Sequence, residues 1–304
     1  MIKIKIPATS ANMGAGFDSL GTALTLYNYV WAEEIDEGLK IEIKDKTAEF
    51  LATDEKNLVY RSMKTLFDRV GYEPKGIHLV LENNIMITRG LGSSSAGIVG
   101  GLIAANEISG AKLSSDELLD VAAEIEGHPD NVAPAILGGM TVNVSDRGKI
   151  KYVKTEVPQE LSFAAFVPEF YLATKKSRSI LPKSVSMRDA VYNTGRSTLL
   201  MASIMTGKYE NIRTAVGDKL HQRYRKRLIP NIDDLFREAY GMGALGVYLS
   251  GAGPTVIAIM QGDTQKFETK LNDFLAKKMD NWHLHMLKAD NEGAVVCDIN
   301  SLEG

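Results

Sequence analysis

A glycine- and serine-rich segment, Arg89 to Gly97 (RGLGSSSAG), is the part of the chain best suited to chemistry. An apolar run at 98–105 follows it directly, so the segment predicts a loop that opens into a helix. Glycines let a backbone approach a ligand closely, and the first turn of a helix offers free N–H groups and the positive end of its dipole. The segment therefore predicts a phosphate site, although it lacks the Gly-Lys-Ser/Thr of a P-loop. A serine cap on a core helix is the structural alternative.

A second polar segment, Glu126 to Pro134 (EGHPDNVAP), brings carboxylates, an imidazole and an amide together within a few residues. The oxygens of Glu126 suit a hard cation, and Asp130 can orient or deprotonate a hydroxyl. The same residues also predict a helix end followed by an irregular turn, so a purely structural interpretation stays open.

The N-terminal segment Pro7 to Gly21 (PATSANMGAGFDSLG) predicts a loop of small residues directly after a strand. Asn12 and Asp18 are its groups most able to hold a small polar ligand, and the carboxylate of Asp18 suits an ammonium group. Asparagine and aspartate also cap turns, which is the structural alternative.

Two basic segments and a glycine-rich turn complete the candidates. Thr174 to Arg178 (TKKSR) predicts a small basic loop, in which the guanidinium of Arg178 can fork onto a carboxylate or phosphate. Residues 221–227 (HQRYRKR) form the most basic segment, and one of its arginines can reach an anionic ligand. Solvated charge is the alternative for both. Residues 249–255 (LSGAGPT) predict a tight connection packed against a ligand or another backbone.

Composition limits the class of protein that these segments can serve. The chain has 304 residues, of which 44% are apolar, and this size predicts two domains. A net charge of −3 argues against a nucleic-acid partner, and a single cysteine indicates a reducing compartment. We find no apolar run of membrane-spanning length and no signal-peptide block, so we expect a cytoplasmic protein.

Hydrophobic periodicity predicts the elements that position these segments. In the first half we expect strands at 2–6, 27–35, 39–43, 77–81 and 139–144 and helices at 57–70, 93–109 and 115–126. Ser114 and Glu117 have the spacing of a capping box, and residues 145–149 predict a hairpin turn near a domain junction.

In the second half we expect strands at 162–167, 246–250, 255–260, 282–287 and 294–298 and helices near 187–205, 208–217, 230–241 and 265–278. The order of strands and helices is that of an α+β protein.

Taken together and in this order, residues 7–21, 90–96 and 249–255 resemble the three motifs of the GHMP kinases. The resemblance covers essentially the whole chain. The runs at 127–135 (GHPDNVAPA) and 178–182 (RSILP) are most similar to the branch of that family that phosphorylates L-homoserine.

The resemblance implies a two-domain α+β fold. Residues 1–155 would form an N-terminal nucleotide-binding domain like domain 2 of ribosomal protein S5, and residues 156–304 a ferredoxin-like C-terminal domain. It also implies phosphorylation of the side-chain hydroxyl of L-homoserine by ATP with Mg²⁺, in threonine biosynthesis. A homodimer that binds neither nucleic acid nor membrane is expected.

The resemblance also assigns roles to residues. Mg²⁺ would be held by Ser94 and Glu126. Phosphates would be wrapped by Arg89, Gly90, Leu91, Gly92, Ser93, Ser94, Ser95 and Ala96. L-Homoserine would be bound by Asn12, Asp18, His128, Arg178 and Arg225. The hydroxyl and the γ-phosphate would lie near Asp130, Asn131, Thr174 and Arg178.

Two questions stay open at this point. Either Asp130 or Asn131 can face the reacting hydroxyl, and only the first offers a base. A GHMP kinase for another small alcohol, such as mevalonate, or a nucleotide-binding module without turnover would share most of these motifs. A pocket that contains both Asp18 and arginines suits a zwitterion, which disfavours mevalonate because it has no ammonium group.

Overall fold

The computed structural model describes residues 1–297. Its strands are β1 (Ile2–Ala11), β2 (Leu20–Glu34), β3 (Gly38–Ile43), β4 (Gly76–Glu82), β5 (Met140–Asp146), β6 (Lys149–Thr155), β7 (Leu161–Pro168), β8 (Gly246–Leu249), β9 (Val256–Gln261), β10 (Trp282–Leu287) and β11 (Val295–Cys297). Its α-helices are α1 (Leu58–Val70), α2 (Ser93–Ser109), α3 (Ser115–Glu126), α4 (Pro129–Leu137), α5 (Thr174–Ser179), α6 (Met187–Thr206), α7 (Ile212–Ala215), α8 (Gln222–Arg225), α9 (Ile232–Gly241) and α10 (Gln265–Lys278).

The strands form two sheets. The first has seven strands in the order β11-β1-β2-β4-β3, with β5 paired to β2 and β6 paired to β5. Only the pair β3–β4 is parallel in this sheet. The second sheet is antiparallel, with the order β10-β7-β9-β8. This mixture of sheets and helices confirms the predicted α+β class.

Strand β7 connects the cores of the two halves. All eight of its residues are buried. Phe163 and Ala165 face the core that includes the first sheet, whereas Ala164 and Phe166 face a second core under α9 and α10. Side chains alternate along a strand, so a strand covered on both faces has a continuous apolar sequence.

Local signals in the sequence explain where the helices begin and end. Ser114 and Glu117 form the predicted capping box at the start of α3. Asn57 caps α1 through its side chain, and Gly71 ends that helix in the left-handed conformation. The predicted hairpin turn lies at Arg147 and Gly148, because Asp146 pairs directly with Lys149.

Three local predictions are wrong. β1 continues through Pro7 to Ala11, and a register shift after Pro7 accommodates the proline, so the loop begins only at Asn12. The irregular turn expected after Gly127 is helix α4, which starts with Pro129 because a helix tolerates proline in its first turn. The basic loop expected at 174–178 is part of helix α5.

The predicted domain boundary falls between two strands, and the last described strand belongs to the first sheet. The boundary at residue 155 falls between β6 and β7, and it stays a prediction. β11 pairs with β1, so the last described strand joins the first sheet. Residue 298 of the strand expected at 294–298 lies outside the described residues.

Within residues 1–297, each helix is too short or too polar to cross a bilayer.

A pair of glycine substitutions tests the packing of α4 on the first sheet. A Cβ at Gly21 would lie 1.8 Å from the carbonyl oxygen of Asp130, whereas Gly195, in α6, has open space around it. We expect Gly21→Ala to destabilise the fold by about 1–3 kcal/mol through overpacking. Gly195→Ala should stabilise it by about 0.5–1 kcal/mol through helix propensity. Urea denaturation measures both, and equal shifts would contradict this packing.

Candidate active site

One cleft brings the predicted polar segments together. It contains about 1130 Å³ of empty space. Polar and glycine residues from six segments line it: Asn12, Asp18, Gly90, Gly92, Ser93, Ser94, Ser95, Gly97, Glu126, His128, Asp130, Asn131, Thr174, Arg178, Arg225 and Gly251. The cleft therefore collects residues that are far apart in the sequence; Asn12 and Gly251, for example, are separated by 239 positions.

The glycine–serine loop presents the start of α2 to the cleft. Gly92 precedes the helix with φ 72°, and a Cβ there would lie 2.0 Å from the hydroxyl oxygen of Thr9. Glycine is thus required by both conformation and space. Because the cap has no side chain, the first N–H groups of α2 are left for a ligand, and their dipole favours an anion.

The eight residues predicted to wrap phosphate lie in three different environments. Gly90, Gly92 and the three serines line the cleft. Leu91 and Ala96 are buried in the core behind it. Arg89 donates to the carbonyl oxygens of Ile87 at 3.0 Å and Pro168 at 2.9 Å and also to that of Glu169, so its guanidinium holds the loop to the end of β7.

Glu126 ends α3 directly opposite the serines. Ser94 donates to its Oε2 at 3.0 Å and Ser95 to its Oε1 at 3.1 Å. A carboxylate with adjacent hydroxyls is a hard-oxygen donor set of the kind that Mg²⁺ prefers. Within residues 1–297 there is no cluster of three or more His, Cys, Asp or Glu side chains suited to a metal, so a cation here would need phosphate and water oxygens to complete its shell.

Asp18 and Arg178 form a forked ion pair at the other end of the cleft. Nη1 donates to Oδ2 at 3.0 Å and Nη2 donates to Oδ1 at 2.7 Å. Asp18 has φ 55°, and its N–H donates to the Asn12 side chain at 3.0 Å. Asn12 in turn donates to the carbonyl oxygen of Gly251 at 2.9 Å, which ties this turn to the second domain.

Arg225 is the largest fully buried side chain, with 1% of its surface exposed. Its hydrogen-bond partners within the described part of the chain are the carbonyl oxygens of Ser177 and Gly251 and the ring of His221, and none is a carboxylate. Burial lowers the pKa of Arg225 to about 10. The charges of Asp18, Asp130 and Asp218 act on Arg225 only from a distance, and a buried cation without a bonded anion is costly, so the cleft favours an anion at this point.

His128, Asp130 and Asn131 lie at the start of α4. The Nδ1 atom of His128 and Oδ1 of Asp130 are 2.6 Å apart. Thr9 donates to Oδ1 of Asn131 at 2.8 Å. Both Asp130 and Asn131 line the cleft, as does Thr174, the first residue of α5.

The apolar end of the cleft was not predicted from the sequence. This part lies between the start of α1 and the C-terminal end of β4 with the segment that follows it, and it is lined by Leu51, Asn57, Leu58, Val59, Leu81, Asn83, Ile87 and Thr88. It suits a flat, largely apolar group. Its residues come from several elements and carry no motif, so only the asparagine cap at Asn57 gave a local signal.

Comparisons with known proteins show the family to which the chain belongs. Residues 57–139 match the family model "GHMP kinases N terminal domain" and residues 200–277 match "GHMP kinases C terminal". A homoserine kinase of Clostridium botulinum (strain Alaska E43 / Type E3) is 49% identical over 297 residues, covering 97% of this chain and 98% of the relative. A homoserine kinase of Caldicellulosiruptor bescii is 48% identical, covering 99% and 98%.

Solved structures give the same result. The crystal structure of homoserine kinase from Cytophaga hutchinsonii has a TM-score of 0.87 and 31% identity, with 97% of each chain covered. A mevalonate kinase of L. major in complex with R-mevalonate has a TM-score of 0.73 at 14% identity, which shows a shared fold alone.

The hydrogen bond between His128 and Asp130 predicts that the stability of the fold depends on pH. Burial lowers the pKa of His128, but the hydrogen bond to Asp130 and the charge of Asp130 outweigh burial and raise the pKa above 6.5. The protonated form of His128 therefore stabilises the folded protein. This stabilisation is complete below the pKa of His128 in the unfolded chain and is lost as the pH rises through its pKa in the folded protein. Titration by NMR should show a raised pKa for His128, and Asp130→Asn should lower it.

The unfolding free energy gives the independent check. Relative to Asp130→Asn, the stability of the wild type should fall as the pH is raised from 6.5 through the folded pKa of His128. If the stability advantage of the wild type over Asp130→Asn grew with rising pH in this window, the pairing of His128 with Asp130 would be contradicted.

Proposed function

Because this chain belongs to the homoserine kinases of the GHMP kinase family, we propose that its cleft transfers the γ-phosphoryl group of ATP to the side-chain hydroxyl of L-homoserine. Family and two-domain fold agree with the prediction from the sequence. The observation that carries the assignment of the cleft is the buried Arg225, which has no carboxylate partner and lies near the Asp18–Arg178 pair. Such a site suits the two charges of an amino acid.

ATP would lie along the cleft from the apolar end to the start of α2. The apolar end has the character needed for a purine ring. The N–H groups that follow Gly92 would receive the phosphates. Leu91, Ala96 and the side chain of Arg89 would support this loop from behind, and Arg89 would do so through its bonds to β7.

Ser94 and Glu126 would hold Mg²⁺, with Ser95 as an alternative hydroxyl ligand. Bound there, the ion would neutralise phosphate charge and orient the phosphates for transfer. The hydroxyls of Ser94 and Ser95 donate to the two carboxylate oxygens of Glu126, and these hydrogen bonds keep the oxygens of the set together.

The amino acid would bind with its carboxylate toward Arg225 and Arg178 and its ammonium toward Asp18 and Asn12, with His128 beside it. An arginine fork matches a carboxylate in geometry as well as in charge. An alcohol without an ammonium group would leave Asp18 with no new partner. The cleft therefore favours L-homoserine over mevalonate.

Asp130 and Asn131, with Thr174 and Arg178, would surround the hydroxyl and the γ-phosphate. Phosphoryl transfer asks a protein mainly for positioning and charge stabilisation. If Asp130 faces the hydroxyl, its carboxylate receives the proton. If Asn131 faces it, the proton passes to the transferred phosphate. A loss of more than about 100-fold in kcat for Asp130→Asn would assign the proton to Asp130.

The resemblance also implies a homodimer and a cytoplasmic setting. We propose both, and the mass of the purified protein from light scattering shows whether it is a dimer.

A substrate panel tests the proposed reaction. With ATP and Mg²⁺ present, we expect the purified protein to form ADP rapidly with L-homoserine and at least about 100-fold more slowly with D-homoserine or mevalonate, since each misplaces or lacks a charged group. A coupled ADP assay with phosphate transfer confirmed by mass spectrometry measures the rates. Faster turnover of mevalonate would replace the proposed substrate, and ATP binding without ADP release would indicate a binding module.

Two substitutions test the assigned charges. Glu126→Gln and Arg178→Ala should each lower kcat/KM by at least about 100-fold, or about 2.7 kcal/mol, because each removes a charge that contacts the reacting groups. Glu124→Gln on the same helix and Lys175→Ala on α5 are the matched controls, since both side chains are exposed and lie outside the cleft. Normal kinetics in either test variant would remove that residue from its role.

A further inference from the structure

A fully buried histidine, His221, joins the two ends of the amino-acid site without lining the cleft itself. We propose that His221 is a positioning residue that sets the distance between Arg225 and the turn 12–18, and thereby the specificity for an α-amino acid. This inference rests on the proposed function, in which Arg225 receives the carboxylate and Asp18 in that turn receives the ammonium.

Both ring nitrogens of His221 are engaged. Nε2 lies 2.8 Å from the carbonyl oxygen of Gly14, inside the turn. Nδ1 lies 3.2 Å from Nη1 of Arg225. A carbonyl oxygen only accepts and a guanidinium only donates, so Nε2 must carry the proton and Nδ1 must accept. The ring is therefore neutral and bridges the two groups in one fixed tautomer. Burial lowers the pKa of His221 and the charge of Arg225 acts in the same direction, whereas the carboxylate of Asp218, 3.9 Å from Nε2, opposes them.

A buried carboxylate fixes the segment that carries the histidine. Asp218 accepts the backbone N–H groups of Leu220 at 3.0 Å, His221 at 2.9 Å and Gln222 at 2.6 Å. Asn193 donates to the same carboxylate at 2.7 Å and to the carbonyl oxygen of Ala15 at 3.1 Å. The backbone around His221 is thus held to α6 and to the turn 12–18 at once.

Phe17 adds contact between the same groups. Its ring stacks on His221 with centroids 5.2 Å apart and an interplanar angle of 25°. The guanidinium carbons of Arg178 and Arg225 lie 5.6 Å and 5.3 Å from its centre. Loss of the imidazole nitrogens would leave this stack in place but remove the directional bonds, so the arginine and the turn could move relative to each other.

The nucleotide end of the cleft does not depend on this bridge. Its residues belong to 51–59, 81–97 and Glu126, and none of these forms a hydrogen bond with His221 in the described part of the chain. Disturbing His221 should therefore weaken the binding of amino acid selectively, whereas a general loss of structure would affect both substrates.

The kinetic test compares three variants with the wild type in the same assay. His221→Phe keeps an aromatic ring on Phe17 but loses both hydrogen bonds, and it should raise KM for L-homoserine at least tenfold while KM for ATP stays within twofold. His221→Gln carries an amide that can donate and accept at once, and it should restore KM for L-homoserine to within about threefold of the wild type. His285→Phe, in β10 away from the cleft, is the control and should change neither KM.

A second measurement does not depend on turnover or on a folded variant. In the ¹⁵N NMR spectrum of the wild-type protein at neutral pH, His221 should be neutral with the proton on Nε2. A proton on Nδ1, a charged ring, or a His221→Phe variant with equal changes in both KM values would overturn the inference. Failure of the wild type to phosphorylate L-homoserine would instead overturn the proposed function. The tautomer of His221 would still show whether the histidine bridges Gly14 and Arg225.

Discussion

The turn between β8 and β9 binds four other segments of the cleft to one another. Its backbone and hydroxyl groups form hydrogen bonds with Ser10, Ala11, Asn12, Arg89, Gly90, Ser177 and Arg225. The Gly251 N–H donates to the carbonyl oxygen of Ala11 at 3.0 Å, and the Thr255 N–H donates to that of Arg89 at 3.1 Å. The second domain thereby holds the phosphate-binding loop and the amino-acid-binding turn of the first domain at a set separation.

Small residues in this turn serve its electrostatics as well as its packing. The carbonyl oxygen of Gly251 accepts from both Asn12 and Arg225 at 2.9 Å. A carbonyl dipole lowers the cost of the buried guanidinium without neutralising it. A carboxylate in the same place would pair with Arg225 and remove its attraction for an anionic ligand. The turn therefore allows Arg225 to be buried and still available to a ligand.

How much of the fold and of the cleft could be predicted depends on how far apart in the sequence the interacting residues lie. Helix α2, the capping box of α3 and the hairpin at Arg147 follow from local signals, and they were predicted correctly. Helix α4 was missed because a Gly-His-Pro run also ends helices, and only packing on the first sheet favours the helix. The apolar end of the cleft was missed because burial there comes from separate elements.

The same distinction applies to the charged groups. Residue type alone suggested that Asp18 and Arg178 hold opposite charges of a ligand, and family resemblance supplied their roles. Their forked pairing across 160 residues could not be inferred from either, since it depends on how the two domains meet. The bridge through His221 was likewise hidden, because the basic segment 221–227 predicted mainly solvated charge whereas His221 and Arg225 are buried.

The Asp18–Arg178 pair has a consequence for selectivity under the proposed function. These two groups satisfy each other, so neither presents an unpaired charge to an incoming ion. A zwitterion brings an ammonium for the carboxylate and a carboxylate for the guanidinium, so each charge that leaves the old pair gains a new partner. A neutral alcohol or a simple anion would leave one of the two groups desolvated and unpaired. Discrimination thus arises from the cost of an unpaired charge more than from the strength of any single contact.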